Sequence, residues 1–306
     1  MSQLERLYGP EVGAPDWNVN VILLNGLKGS GRDTWTPPVG EAWWQSLSQQ
    51  LGGATILSYN IPQRPLRVQR ANETPLEWNA REIIDDIADR GLLNKKTIIA
   101  GYSFGGILLK GMIAEVHNGK HRKIGLRYQN IVAFAFVGVP HKGSLWATIA
   151  MFALRLFSTT NLKDASLRSR TLKDVDERFK NAVGERFRRV PVVSIIETKP
   201  VSVGTLLDAH APRAKSHLAW LPEQLFSWLM SVQIYRPVVE KQSATTDLDT
   251  EELIEADACH LALPHFNFAD AQTVLAKMVT VMRPLVEVDP AGDPLFEMFG
   301  QRIRAA

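Results

Sequence analysis

Cysteine is nearly missing from this chain of 306 residues, where Cys259 stands alone. A single thiol excludes an intramolecular disulfide and any zinc site built on cysteines, and it fits a reducing compartment. Long hydrophobic runs are scarce too. The longest apolar stretch, Leu145–Phe157, is interrupted by Arg155 and is too short to span a bilayer. It suits a pocket cap or a contact with a membrane surface. Charge of one sign is also lacking: 35 Lys and Arg against 32 Asp and Glu leave a net +3. The pI near 8.9 comes without a dense basic block, so nucleic acid is not an expected partner. Met1–Trp17 carries Glu5, Glu11 and Asp16 and no apolar segment, so it is not expected to act as a signal peptide. The cytoplasm is the expected location, with peripheral membrane contact left open.

What is present is ordinary globular composition, 45% hydrophobic and 22% charged. Residues 1–306 are read as one domain, large enough to bury its core unaided. Apolar runs at Val19–Leu24, Ala54–Tyr59, Lys96–Ala100, Ile131–Val137, Val190–Ile196 and Arg236–Val239 predict buried strands. Helical spacing marks Pro75–Gly91, Ile107–Val116 and Ala271–Leu285 between and after them. The alternation predicts an α/β fold with a mostly parallel central sheet flanked by helices. Two stretches break the alternation, 146–181 and 201–235, and both are expected to be helical insertions that form a cap or lid. Pro290–Ala306 is read as a surface tail.

The chemistry begins at Gly101-Tyr102-Ser103-Phe104-Gly105. Gly-x-Ser-x-Gly is common enough by chance to mean little alone. Here it lies between an apolar strand and an apolar helix, the setting in which a tight turn exposes a serine hydroxyl above the sheet edge. A nucleophilic serine needs a base, and the base needs a carboxylate to fix its tautomer. Of seven histidines, His260 and His265 alone follow the last expected strand and precede the final helix. His260 is preferred because Asp257-Ala258-Cys259 places it in a polar loop. For the acid, Glu197 ends an apolar strand, where its side chain would emerge at the carboxyl edge. Glu240, Asp247, Asp249 and Asp257 remain alternatives. The Phe104 N–H at the helix start and the Leu27 N–H in the loop after the first apolar strand are the expected oxyanion donors.

These segments, taken in order, resemble the lipase-like serine-active-site-containing protein family, which is related to the GPI inositol-deacylase-like hydrolases. Asn25-Gly26-Leu27-Lys28-Gly29 with Thr34-Trp35-Thr36 is similar to that family's His-Gly-Leu-Gly-Gly loop and its Thr-Trp. Gly101–Gly106 resembles its Gly-His-Ser-Leu-Gly-Gly turn, with Tyr102 and Phe104 where the family has His and Leu. Gly138–Ser144 resembles its Gly-Thr-Pro-His-Arg-Gly-Ser, and Ile196–Pro200 its Glu-Thr-x-Pro. Pro237–Val239, Ser243-Ala244 and Asp257–His260 resemble its closing segment. The resemblance covers roughly Val19 to Met282. It implies the α/β-hydrolase fold and a serine ester hydrolase of lipase or acyl-hydrolase type, with Ser103, Glu197 and His260 as triad. An ester or lipid-like small molecule would be the substrate, and no metal or organic cofactor is implied. Acyl transfer by the same residues, or a silent interaction module on the same fold, are the alternatives. Oligomeric state stays open.

Overall fold

The computed structural model describes residues 3–26, 30–61, 75–118, 124–141, 163–188, 190–200 and 244–287. Within them lie seven strands, β1 (Leu4–Tyr8), β2 (Val19–Leu24), β3 (Thr55–Tyr59), β4 (Lys96–Tyr102), β5 (Ile131–Val137), β6 (Val192–Glu197) and β7 (Glu251–Ala256). They form one sheet in the order β1-β3-β2-β4-β5-β6-β7. Every pairing is parallel except β1 with β3, which is antiparallel. β4 is therefore central, and the carboxyl ends of β2, β4, β5, β6 and β7 all open at one edge of the sheet.

The helices are α1 (Gly31–Trp35), α2 (Trp43–Gln50), α3 (Pro75–Asp89), α4 (Phe104–His117), α5 (Lys163–Glu185) and α6 (Ala271–Glu287). Side chains alternate across a strand, and each face of this sheet has its own core. Ile22, Leu24, Ile99, Phe134 and Phe136 pack with α3, α4 and α5. Val21, Leu23, Ile98, Ala135 and Val137 pack with α1, α2 and α6. Burial on both faces is why β5 reads as an unbroken apolar run, and why β2 and β6 depart from one only at Asn20, Ser194 and Glu197. On the first face a buried ion pair joins Lys110 of α4 to Asp176 of α5. Arg178 of α5 also bridges Glu77 of α3 and Glu115 of α4.

Two strands carry none of the expected apolar pattern. In β1 only Leu7 is buried, and in β7 only Ile254 and Ala256, because Glu252 and Glu255 face solvent. Both lie at the sheet's edges among the described residues. An edge strand needs ladder hydrogen bonds on one side only and tolerates charge. The expected strand Arg236–Val239 falls outside the described residues.

The expected insertion at 146–181 is corrected in part. Val175, Phe179, Ala182 and Val183 of α5 are buried against Phe134, Phe136 and α4, so the carboxyl half of that helix is a layer of the sheet rather than a cover. Leu145–Phe157, the insertion at 201–235 and the tail Pro290–Ala306 all lie outside the described residues. No helix among the described residues is long and apolar enough to cross a membrane.

Candidate active site

Ser103 sits where β4 turns into α4, with φ 52° and ψ −119°. A side chain there is strained, and such a conformation persists only when its surroundings hold it. The holding is visible on both sides. The Ser103 N–H donates to the Val137 carbonyl at 2.9 Å, and the Ser103 carbonyl accepts from the Gly106 N–H at 3.1 Å. The residue thus ends the β4–β5 pairing and starts the helix at once. The turn also presses against the β2 end, since a Cβ on Gly105 would lie 2.4 Å from the Leu24 carbonyl oxygen. Only glycine fits that approach.

His260 follows β7, and its Nε2 lies 3.3 Å from Ser103 Oγ. Its Nδ1 lies 3.2 Å from Glu197 Oε1. A carboxylate oxygen can only accept, so Nδ1 carries the proton and Nε2 is left to accept from the serine hydroxyl. All three side chains are buried, Ser103 at 9%, His260 at 2% and Glu197 at 2% exposure. Both contacts are long for strong hydrogen bonds.

Register brings these groups together. Glu197 is the last residue of β6 and pairs with Ala256 of β7. Beyond the ladder, the Thr198 and Lys199 N–H groups donate to the Ala256 and Ala258 carbonyls at 3.1 and 3.0 Å. The two strands therefore run on together, carrying the carboxylate and the histidine loop to the same place.

The competing residues go elsewhere. His265 Nδ1 donates to the Thr36 carbonyl at 2.9 Å, and burial holds its pKa below the usual histidine value, partly offset by that carbonyl. Asp257 pairs at the surface with Lys199 at 2.7 Å. Asp247 lies 3.6 Å from Lys180. Glu240 is outside the described residues, and Asp249 lies in the turn just before β7. His117 faces Glu185 at 3.5 Å, and His141 stands edge-on to Phe136 with centroids 4.8 Å apart.

Of the two expected oxyanion donors, Phe104 is the first residue of α4 and Leu27 lies outside the described residues. Its neighbour Gly26 is placed, and a Cβ there would come within 3.4 Å of Ser103 Cβ. Asn25 was not foreseen as a site residue. It is fully buried, its Nδ2 donates to the Gly26 carbonyl at 3.0 Å, and its Oδ1 accepts from the Ile61 N–H at 3.1 Å. The available signal was a polar side chain directly after the four apolar residues Val21–Leu24. Among the described residues no cluster of three or more His, Cys, Asp or Glu is arranged to hold a metal.

No family model matches the chain. It is 27% identical to the protein SERAC1 of Danio rerio over 144 residues, 47% of this chain and 21% of that protein. Against SERAC1 of Bos taurus it is 24% identical over 212 residues, 62% of this chain and 32% of that protein. The match thus spans a third or less of either relative's length. Among solved structures, the mature form of the Bacillus licheniformis lipase BlEst2 superposes with a TM-score of 0.50 at 16% identity, over 93% of this chain and 98% of that one. The parallel sheet, its covering helices and that superposition make this chain a protein of the α/β-hydrolase fold, similar in sequence to SERAC1.

Proposed function

We propose that the protein is a serine ester hydrolase of lipase or acyl-hydrolase type. One observation carries the reading: a serine held at φ 52° at a strand-to-helix turn has a buried histidine at 3.3 Å, itself backed by a buried glutamate at 3.2 Å. Strain, burial and two aligned contacts at one point are hard to account for as packing. In this reading His260 Nε2 takes the Ser103 proton as Oγ attacks the ester carbonyl. Glu197 holds the imidazolium that forms, and the Phe104 and Leu27 N–H groups receive the oxyanion. Collapse of the tetrahedral intermediate expels the alcohol, protonated by His260, and leaves an acyl group on Ser103. Water then attacks that ester with His260 again as base, returning the free serine and a carboxylic acid.

Apolar acyl groups are the proposed substrates, with a lipid surface as the place of contact. The test is fluorophosphonate labelling of purified protein, followed by hydrolysis of an ester series of rising chain length with Ser103→Ala as blank. Labelling at Ser103 and turnover lost by about four to six orders of magnitude in the blank are expected. Wild-type protein that neither labels nor turns over any ester of the series would overturn the reading.

A further inference from the structure

The sheet register positions Ser103 and Glu197 directly, because both sit at strand ends. His260 is placed less directly, since the β6–β7 pairing carries its loop only as far as Ala258. It lies on a loop beyond edge strand β7, while Ser103 leaves β4, with β5 and β6 between. Something must hold the base over the nucleophile across that distance, and Tyr102, the residue before Ser103, reaches it. The Tyr102 hydroxyl donates to the His260 carbonyl at 3.2 Å. Its ring lies beside the imidazole, with centroids 5.1 Å apart and planes at 35°.

We propose that Tyr102 is the positioning residue for the catalytic base, tying the His260 backbone to the strand that carries the nucleophile. The proposal rests on the hydrolase reading above and adds to it the part that fixes the histidine. Gly138, after β5, closes around the same ring, since a Cβ there would lie 3.0 Å from His260 Nδ1. Behind Tyr102 stands Trp35, edge-on at 6.3 Å and fully buried. Trp43 Nε1 donates at 3.0 Å to both the Trp35 and Pro264 carbonyls, and its ring stacks on Phe266 at 4.4 Å. The loop from His260 to Phe266 is thereby pinned at both ends to one aromatic wall. Burial, with the negative Glu197 adding to it, pushes the phenol well above the usual tyrosine range. Tyr102 therefore stays protonated and remains a donor.

The test is Tyr102→Phe, which keeps the ring and removes one oxygen. Rates are taken per fluorophosphonate-titrated site, so a partly unfolded sample reports the same quantity. The expected result is a fall of about tenfold in kcat on a short-chain ester with KM within about twofold, since small displacements of a base cost that much. The labelling rate at Ser103 should fall in parallel. Proton NMR supplies a reading independent of turnover: the downfield resonance of the Nδ1 proton between His260 and Glu197 should broaden or shift upfield in the variant. An unchanged resonance together with unchanged kcat per site overturns the tether. If wild-type protein proves inert to fluorophosphonate while its resonance still depends on Tyr102, the hydrolase reading fails and the tether stands.

Discussion

Replacing Ser103 by glycine should make the protein inactive and yet more stable than replacing it by alanine. Both changes remove the hydroxyl and its contact with His260, so their difference isolates the Cβ. At an unstrained position glycine would be the worse choice. It loses about 0.5–1 kcal/mol to extra freedom in the unfolded chain and up to about 0.8 kcal/mol of buried carbon. Ser103 is not such a position, because its φ of 52° is imposed by the pairing to Val137 and the start of α4. Release of strain at such a site returns about 1–3 kcal/mol. The balance changes sign, and Ser103→Gly should exceed Ser103→Ala by about 0.5–1 kcal/mol. Urea unfolding of the two variants at equal m-value measures this directly. A glycine variant less stable than the alanine variant by about 1.5 kcal/mol would mean that the turn is unstrained. The inference from backbone to nucleophile would then be refuted.

Glu197→Gln should lower kcat by at least about a hundredfold at unchanged fold, because the amide no longer stabilises the imidazolium. Asp257→Asn should stay within about twofold, its carboxylate being spent on Lys199 at the surface; steady-state rates of the pair decide the acid. His260→Ala should abolish fluorophosphonate labelling, while His265→Ala should keep it and lose about 1 kcal/mol of stability with the Thr36 bond; the reverse pattern would move the base by one turn of loop. Burial pulls the Lys110 ammonium down to about 8 against the attraction of Asp176. Below that pH the folded state carries a charge it disfavours, and between about 8 and 10.5 the unfolded chain holds a proton that the folded one has released, so stability should rise with pH. Lys110→Met should lack that rise, as pH-dependent urea unfolding of the two proteins would show.

The parts of the fold legible in the sequence are those buried on both sides. Val19–Leu24 and Ile131–Val137 are strands at those limits, since a parallel strand between two helical layers is apolar at nearly every position, Asn20 being the one polar residue in the two. β1 and β7 were hidden by the converse. Glu251-Glu252-Leu253-Ile254-Glu255 looks like solvated loop until the ladder to β6 is known. Phe179 and Val175 looked like lid residues because their partner, the Phe134–Phe136 face, is distant in sequence. Ser103, Glu197 and His260 could be picked out because parallel topology sends strand ends to one edge, so order along the chain stands in for position in space. The meeting of Tyr102 with His260 had no such stand-in. It joins residues 158 positions apart through one hydroxyl, and a tyrosine next to a nucleophile looks the same in sequence whether or not its oxygen finds a carbonyl.

The same contrast explains how the site divides its work. Groups set by register need little help, because a strand end moves only if the sheet moves, and the sheet is buried on both faces. Ser103 and Glu197 are of this kind, and backbone hydrogen bonds at their strand ends hold them there. His260 stands on a loop, where backbone bonds are few and side chains must substitute for register. Tyr102, Trp35 and Trp43 are large, have few rotatable bonds and lose little entropy on being fixed. Each also turns a polar or ring edge to its neighbour. A flexible side chain in their place would hold the same carbonyl at greater entropic cost and less accurately. The aromatic residues on the α1 and α2 face therefore serve the site as much as the core: they give a loop the rigidity that the sheet gives its own strand ends.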